Sequence, residues 1–326
     1  MKEGRKLSIV VPVYNEEANI PLLVDELESE LAPLDIPYEI VLVNDGSTDC
    51  TEKVIKTLSE GCSRVVPVSY YPNRGRGYAM RQGFSASTGD IIVTVDADLS
   101  YSPDQIERLI QPLLERDDVD IVVGSPYMKG GGTENVPFFR LLVSRLGNMV
   151  LGLSFKGGIH TFTGIFRAYR KKVLDSLLLE SEGKDIHLEI LSKASACGYR
   201  IVEVPAVLRG RKRGRSKFRV GPTTRSHLIF SMMERPALIF GFAGLFILLL
   251  GIGIGIYLYV LFRQGTLNPE RPLVNLTIIL LLAGFQILSL GFLGVQMVIL
   301  RKELFKVQWQ NRLLEKRLEE HQNAKE

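Results

Sequence analysis

The sequence contains little cysteine, with three residues among 326. Cys50, Cys62 and Cys197 lie far apart without a C-x-x-C pair, which argues against a disulfide framework or a structural zinc site and fits a reducing compartment. A G-x-G-x-x-G segment is also missing, because Gly75-Arg76-Gly77 does not continue that spacing. A dinucleotide-dependent dehydrogenase is therefore not indicated. A hydrophobic share of 46% and a charged share of 23% exclude a disordered or fibrous chain.

Charged side chains are absent from two long segments, residues 237–262 and 273–300. Each exceeds the ~20 apolar residues that a helix needs to cross a bilayer. Neither keeps the polar stripe that a helix in a soluble core retains. We therefore predict two transmembrane helices. The N-terminal apolar run Leu7–Val13 is followed at once by Asn15 and Glu16, so we interpret it as a strand rather than a signal peptide.

Basic residues around these segments predict their orientation. Lysine and arginine are frequent before the first segment and directly after the second, while the connecting loop is short. The positive-inside rule then predicts an integral membrane protein whose N-terminal domain and both termini are cytoplasmic. The predicted boundaries are a domain over 1–217, a juxtamembrane amphipathic segment over 218–235, a transmembrane hairpin over 236–300 and a helix over 301–326.

Apolar runs and amphipathic segments alternate along the first half of the chain. The predicted strands cover 7–13, 39–44, 64–69, 90–95 and 120–123, and the predicted helices cover 16–34, 51–59, 77–87 and 103–116. Such alternation is typical of an α/β domain with a mostly parallel sheet and right-handed crossovers. Ligands of such sheets bind outside the carboxyl ends of the strands.

Acidic motifs follow three of the predicted strands. The first strand leads into Asn15-Glu16, the second ends in NDGSTD (44–49), and the fourth ends in Asp96-Ala97-Asp98. Crowded carboxylates at one sheet edge favour a hard cation, Mg²⁺ or Mn²⁺, that shares its ligands with substrate phosphates. Asp45 alternatively accepts hydrogen bonds from a ribose or a base. Each motif alone is also compatible with a plain turn, and Asp49 is better explained as a helix cap.

Five segments together carry a family resemblance: VPVYNEEANI, VNDGSTD, NRGRGYAMRQGF, TGDIIVTVDADLSYSP and GYRIVEVP. The chain resembles family 2 glycosyltransferases of the GT-A fold, and most closely the dolichol- and polyprenyl-phosphate hexose synthases, over residues 7–217. The two apolar segments are similar to the membrane-anchored branch of that family. The resemblance implies a GT-A catalytic domain followed by juxtamembrane helices and a two-helix transmembrane hairpin.

The resemblance also implies a nucleotide-sugar site at the acidic strand ends. Its residues occupy the family's motif positions and are Pro12, Tyr14, Glu16, Asp45, Asp96, Ala97 and Glu189. Asp96 and Asp98 bind the metal, Mg²⁺ or Mn²⁺, in this interpretation. Ser100 stands where the family often has a glutamine ligand, and we include it in the predicted metal site.

Two basic segments suggest the acceptor side. Arg140 and Ser144 lie four residues apart in an apolar stretch over 137–153, so both side chains can reach one phosphate. The resemblance implies that they hold a lipid phosphate, with Arg145 as a further candidate. The alternative is an interfacial helix whose arginines reach the headgroups.

The second basic segment is 211–217, which resembles the family's R-x-x-G-x-S-K sequence. The resemblance implies that Arg211 and Lys217 contact phosphates, and we predict that they act together with Asp98 in catalysis. The alternative is a polybasic patch that attracts anionic lipids. Departures from the family occur at Pro126, where an arginine is common, and around His160, so they leave the sugar undecided.

The predicted reaction follows from the acceptor. A phosphate monoester is already an anion at neutral pH and attacks without a strong general base, while a metal with Arg211 or Lys217 stabilises the leaving nucleoside diphosphate. We predict inverting transfer of mannose or glucose, from GDP-mannose or UDP-glucose, to a polyprenyl or dolichyl phosphate at the cytosolic face.

Two other functions stay open. One is transfer to a lipid or glycan hydroxyl, which would need a general base such as Glu189. The other is a membrane-anchored protein that binds sugar nucleotides without turnover. We further expect contacts with membrane lipids and no nucleic-acid partner. The spacing of apolar residues over 304–321 favours either a homo-oligomeric coiled coil or a lone helix.

Overall fold

The computed structural model describes residues 5–136, 141, 144–145, 148, 152, 159–210, 236–266, 268 and 272–323. The chain divides into two compact units. The first comprises Met1–Ser226 and Phe305–Glu326, and the second comprises His227–Leu304.

The first unit is built on a seven-stranded sheet of order β3-β2-β1-β4-β7-β5-β8. Strand β7 is antiparallel to both of its neighbours, and the other pairs are parallel. Short strands β6 and β9 form a separate parallel pair. The strands are β1 Leu7–Val13, β2 Tyr38–Asp45, β3 Val65–Tyr70, β4 Ile91–Thr94, β5 Ile121–Ser125, β6 Gly132–Glu134, β7 Arg167–Arg170, β8 Ile201–Pro205 and β9 Val207–Arg209.

Helices lie between successive strands of this sheet. They are α1 Ile20–Leu31, α2 Thr51–Gly61, α3 Arg76–Ala86, α4 Ile106–Glu115, α5 Lys171–Ser176 and α6 Ile186–Ala196, with 3₁₀ turns at Ala32–Leu34 and Pro103–Gln105. The predicted GT-A fold with a mostly parallel sheet is confirmed. Helix α1 begins later than the predicted residue 16, because Asn15 is left-handed (φ +54°) and the backbone N–H of Glu16 donates to the Thr51 hydroxyl at 3.0 Å.

The core lies at the centre of this sheet. Ile9, Val11, Ile40 and Leu42 on β1 and β2 are completely buried, as continuous apolar runs predict for strands covered on both faces. Full burial of each such side chain stabilises the fold by about 1.5–3 kcal/mol. The core therefore fixes the strands whose carboxyl ends carry the acidic motifs.

The second unit contains helix α7, Pro236–Arg263, and the first part of helix α8, Pro272–Asn323. Both helices are long and apolar enough to cross a membrane, over Ile239–Arg263 and Pro272–Glu315. Large apolar side chains such as Phe242 and Phe285 are about 70% exposed on them (71% and 68%), which suits lipid rather than water. A side chain at Gly284 would meet the backbone nitrogen of Leu248 at 2.7 Å, so small residues allow the helices to approach closely.

The C-terminal part of α8 belongs to the first unit and contacts it through one face. The indole N–H of Trp309 donates to the Tyr199 hydroxyl at 2.8 Å, and Arg312 donates to the carbonyl oxygens of Asp175 and Leu177 at 3.1 and 3.2 Å. On another face, Val307 and Leu314 are 50% and 57% exposed. They belong to the predicted oligomerisation seam, and the homo-oligomer stays a prediction.

Candidate active site

The first two motifs are joined directly. Strands β1 and β2 are neighbours, and their carboxyl ends meet at one sheet edge. There the Asn15 backbone N–H donates to the Ser47 hydroxyl at 3.0 Å, and its side-chain oxygen accepts from the Thr48 backbone N–H at 2.8 Å. Glu16 accepts a hydrogen bond from Asn19 at 2.6 Å. Tyr14 is 38% exposed beside this junction, so its ring is accessible to a ligand.

Asp45, at the end of β2, shapes a loop. Its carboxylate accepts hydrogen bonds from the Tyr70 hydroxyl (2.9 Å), the Asn73 amide (2.8 Å) and the backbone N–H groups of Arg74 (2.8 Å) and Gly75 (2.9 and 3.2 Å). Burial, together with the hydrogen bond to Asp45, raises the pKa of Tyr70. Because these donors engage both carboxylate oxygens, Asp45 holds the loop that leads into α3. Its predicted contact with a base or ribose stays a prediction.

The loop held by Asp45 places Arg76 beside the DxD motif. Arg76 is the first residue of α3, and its Nη2 lies 2.9 Å from Oδ1 of Asp96. The backbone N–H of Gly77 donates to the Glu182 carbonyl at 2.7 Å, and a side chain at Gly77 would meet the Ser181 carbonyl at 2.3 Å. The start of α3 is thus fixed by contacts on two sides.

The DxD motif forms a tight turn after β4. Oδ1 of Asp98 accepts from the Ser100 backbone N–H at 3.1 Å, and the residue between them, Leu99, is left-handed with φ +57°. Such a conformation in a bulky residue costs of order 1–3 kcal/mol and concentrates at functional sites. The Ala97 side chain is 5% exposed and part of the core, so any ligand contact of this residue involves its backbone.

The donor set of this turn fits a hard divalent cation. Asp96, Asp98 and Ser100 offer carboxylate and hydroxyl oxygens, the ligand type that Mg²⁺ and Mn²⁺ prefer. Among the residues that the structure describes, no group of three or more His, Cys, Asp or Glu side chains is placed to hold a metal. The set therefore suits a cation that takes its other ligands from water and from a diphosphate.

Strand β5, which pairs with β7, is followed by candidate acceptor residues at the same sheet edge as the DxD turn. Strands β4 and β5 both run antiparallel to β7 and so point the same way. After β5, the Tyr127 hydroxyl donates to the Ser144 hydroxyl at 2.7 Å, and the Arg145 guanidinium carbon lies 5.9 Å from the centre of the Tyr127 ring. Tyr127 therefore gathers two of the three predicted lipid-phosphate residues. Arg140, the third, lies outside the described residues.

Strand β9, which precedes the second basic segment in the sequence, is held at the DxD turn. The backbone N–H of Arg209 donates to the Ser100 carbonyl at 2.8 Å. The Gln105 side chain fixes the same strand, because its amide oxygen accepts from the Val207 N–H at 2.6 Å and its amide nitrogen donates to the Val207 carbonyl at 3.1 Å. Arg211 and Lys217 follow directly in the chain but lie outside the described residues.

Glu189 lies on α6, and its carboxylate is engaged by its own surroundings. It accepts from the backbone N–H groups of Glu180 (3.0 Å) and Ser181 (2.9 Å) and from the Lys193 ammonium (2.7 Å). Burial alone would raise the pKa of Glu189, but these hydrogen bonds outweigh burial and lower it. Glu189 thus holds the loop that contacts Gly77, and its predicted role toward the sugar stays a prediction.

Several residues of this network carried no predicted role. They are Arg76, Tyr70, Asn73 and Glu182, and they hold or extend the loop before α3. The segment NRGRGYAMRQGF contains two of them. Its two glycines before and within the first turn of α3 were the available signal, since Gly75 has φ +96° and Gly77 packs against backbone.

The profile of glycosyl transferase family 2 matches residues 8–178. The chain belongs to this family. Two curated relatives align over larger parts of it. A dolichol-phosphate mannosyltransferase of Pyrococcus furiosus is 35% identical over 233 residues, which are 70% of this chain and 64% of that protein. An undecaprenyl-phosphate 4-deoxy-4-formamido-L-arabinose transferase of Sodalis glossinidius is 30% identical over 294 residues, 89% of this chain and 87% of that protein. The chain therefore spans less than two thirds of the first relative and most of the second.

Solved structures of one enzyme share the fold of this family member. Glucosyl-3-phosphoglycerate synthase of Mycobacterium tuberculosis, in complex with Mn²⁺, UDP and phosphoglyceric acid, superposes with a TM-score of 0.54 at 26% identity over 71% of this chain and 79% of that one. A second structure of that enzyme contains Mg²⁺ and UDP, and matches at 25% identity with a TM-score of 0.54 over 71% and 80%. A divalent cation beside a nucleoside diphosphate is consistent with the oxygen ligands found here.

Proposed function

We propose that this glycosyltransferase transfers a hexose from a nucleotide sugar to a polyprenyl or dolichyl phosphate, with a divalent cation and inversion at the anomeric carbon. The observation that carries the proposal is the convergence of two residue groups at one sheet edge. The DxD turn follows β4, and the Tyr127–Ser144–Arg145 group follows β5, which points the same way. Two curated relatives named for dolichol phosphate and undecaprenyl phosphate support this acceptor class.

The chemistry assigns separate tasks to these groups. Asp96, Asp98 and Ser100 would hold Mg²⁺ or Mn²⁺, which neutralises charge on the departing diphosphate when it is bound. Ser144 and Arg145, with Arg140, orient the acceptor phosphate by a hydroxyl and guanidinium groups. Arg211 and Lys217 add cationic groups next to the leaving diphosphate. Such fixed charges, aimed at the place where negative charge develops, usually supply the largest part of catalysis.

A phosphate acceptor also suits the state of Glu189. A hydroxyl acceptor needs a general base with a pKa near neutrality. The Glu189 carboxylate instead accepts three hydrogen bonds and has a lowered pKa. A phosphate that is already ionised needs no such base.

The test is a donor and acceptor panel with the purified full chain. GDP-mannose, UDP-glucose and UDP-linked amino sugars, each labelled, are incubated with Mn²⁺ and a polyprenyl phosphate, and the lipid phase is counted before and after mild acid. We expect an acid-labile lipid-linked sugar from one donor. Transfer to alcohol acceptors alone, or nucleotide binding without transfer, would contradict the proposal. NMR of the product tests inversion of the anomeric configuration.

Two variants make this assay specific. Asp98→Ala removes a predicted metal ligand, and we expect transfer to fall by at least about 10³-fold, because metal and fixed charges carry the chemical step. Asp118→Asn is the matched control, since Asp118 pairs with Arg116 and Arg200 at the surface. Near-normal transfer by Asp98→Ala would remove the metal assignment. For Arg140→Ala we expect a raised KM for the lipid with a smaller effect on the donor.

We further propose the membrane arrangement that the basic residues predict, with the catalytic domain and both termini in the cytoplasm and domain boundaries at 217, 235 and 300. Cys50 is exposed on the first unit, so it can report the side of the membrane. With Cys62 and Cys197 replaced by serine, a membrane-impermeant maleimide should label Cys50 in inside-out vesicles only. Labelling in right-side-out vesicles would reverse the proposed topology.

A further inference from the structure

The first carboxylate of the DxD motif already has a cationic partner from the protein. Nη2 of Arg76 lies 2.9 Å from Oδ1 of Asp96, and the two side chains are 32% and 21% exposed. The pair is therefore partly shielded from water and yet open to a ligand. A divalent cation that binds Asp96 is repelled by this guanidinium, which lies beside the same carboxylate.

The position of Arg76 is built into the fold. Asp45 fixes the preceding loop through Asn73, Arg74 and Gly75. The first turn of α3 is then held at Gly77 by the Glu182 carbonyl. Because the backbone of Arg76 is fixed on both sides, only its side chain has to be ordered for the pair with Asp96 to form.

The neighbouring arginine makes different contacts. Arg74 pairs with Glu182, and its guanidinium carbon lies 3.8 Å from the centre of the Tyr78 ring. Arg74 and Arg76 thus share a segment and a charge, but only Arg76 is paired with the DxD motif among the contacts described here. This difference provides a matched control.

We propose that Arg76 is the resident counter-ion of Asp96 and a diphosphate-binding residue of the donor site. Without donor, its guanidinium neutralises Asp96 and weakens the binding of a free cation. With a cation and a nucleoside diphosphate bound, Asp96 would hold the cation and Arg76 would pair with a diphosphate oxygen. The cation is then held well only together with the nucleotide. This inference rests on the proposed cation-dependent donor site and adds a residue to it.

The test measures binding without sugar or lipid. The full chain in detergent micelles is titrated with Mn²⁺ alone, and free Mn²⁺ is followed by electron paramagnetic resonance. For Arg76→Gln we expect Mn²⁺ alone to bind about tenfold more tightly, because a competing positive charge next to the ligand oxygen is gone. In saturating Mn²⁺ we expect the same variant to bind whichever of UDP and GDP the wild type prefers about tenfold more weakly, because a charge-assisted hydrogen bond to the diphosphate is lost.

Controls separate this effect from a general loss of structure or charge. Arg74→Gln should leave the affinity for Mn²⁺ alone within about twofold of the wild type, and Arg76→Lys should keep it close to the wild-type value because the charge remains. If Arg76→Gln does not fold by circular dichroism, Arg76→Met carries the same test.

The outcomes are distinguishable. Both shifts are required, so an unchanged affinity of Arg76→Gln for Mn²⁺ alone, or for the nucleotide, overturns the inference. An equal gain in Mn²⁺ affinity from Arg74→Gln overturns it as well, since the effect would then be net charge. If the wild type binds no Mn²⁺ even with UDP or GDP, the proposed donor site itself is wrong. Neither measurement depends on the identity of the acceptor.

Discussion

Replacing Asp45 by asparagine tests whether this residue shapes the site or only contacts the donor. In the structure, four donors converge on its carboxylate: the Tyr70 hydroxyl, the Asn73 amide and the backbone N–H groups of Arg74 and Gly75. Asparagine has nearly the same shape but replaces one acceptor oxygen by an NH₂ donor. About half of these donors would then face another donor instead of a carboxylate.

The expected loss of stability follows from these contacts. A hydrogen bond to a charged group contributes about 1.5–3 kcal/mol, and a donor left without its acceptor costs about 1–3 kcal/mol. Two lost bonds in a half-buried loop therefore lower the free energy of unfolding by about 3 kcal/mol. For a unit of about 150–250 residues, each kcal/mol shifts Tm by about 2–4 °C, so we expect Asp45→Asn to melt about 6–12 °C lower.

The assay uses the intrinsic fluorescence of Trp309, the only tryptophan in the chain, which packs in the first unit against Tyr199. Tyr70→Phe removes one of the four donors and should lower Tm by about 3–6 °C, since one hydrogen bond to the carboxylate contributes about 1.5 kcal/mol. Asp49→Asn is the matched control. The N-cap of α2 is Cys50 and not Asp49 as predicted, but the Asp49 carboxylate accepts from the Thr51 N–H at 3.0 Å. The side-chain oxygen of asparagine can accept the same hydrogen bond.

This reasoning is refuted if Asp45→Asn changes the nucleotide affinity without changing the thermal stability. If Asp45→Asn lowers nucleotide affinity while Tm falls by less than about 2 °C, Asp45 acts as a direct ligand and the loop does not depend on it. If Tm falls as expected and Arg76 is displaced, affinity for the nucleotide should fall as well.

Three further predictions concern stability. Burial alone would raise the pKa of Glu39, but hydrogen bonds from a lysine, a serine and a threonine outweigh burial and lower the pKa from 4.5 to about 2. The lowered pKa therefore adds about 3 kcal/mol to the free energy of unfolding above pH 4.5, and this contribution is lost as the pH falls toward 2. In urea unfolding, the stability of Glu39→Gln should lack this dependence on acid pH. Gly77→Ala should lower the free energy of unfolding by about 1–3 kcal/mol, because the new side chain meets backbone oxygens. Gly61→Ala, which has open space around it, should be neutral or slightly stabilising. Equal melting temperatures of the two variants would contradict the packing argument. Trp309→Phe should lower the free energy of unfolding, measured by circular dichroism, by about 1 kcal/mol, because one hydrogen bond is lost. The control is Leu314→Ala, which should change this free energy little because Leu314 is 57% exposed.

Much of the fold was predictable because its signals are local. Strands β1 to β5 have continuous apolar cores, and helix α1 repeats Leu23, Leu27 and Leu31 at helical spacing, so each element shows itself within about ten residues. Strand β7 was not predicted, because RAYR is short and has only two apolar residues between two arginines. Its burial depends on Arg167, whose guanidinium donates to the carbonyl oxygens of Phe162 and His187 at 2.6 and 2.9 Å. No local pattern predicts a buried arginine of that kind.

The site was predictable in its motifs and less so in its contacts. The strand-end position of Asp45 and Asp96 follows from the sheet, since parallel neighbours end at one edge. The loop that Asp45 holds depends on residues 25 to 30 positions away in the chain, and the Arg76–Asp96 pair joins residues 20 positions apart. Such pairings are set by the packing of β2, β3 and α3, which a single sequence does not display.

The antiparallel strand β7 also makes the domain modular. The donor-side motifs from β1 to the DxD turn come from one continuous stretch that ends before β5, whereas Ser144 and Arg145 belong to a long excursion between β5 and β7. Because the chain returns to the sheet in hydrogen-bonded register with both neighbours, the excursion begins and ends at fixed anchor points. Recombination between relatives at those anchors would exchange the residues proposed to bind the acceptor while keeping the donor-side motifs that follow β1, β2 and β4.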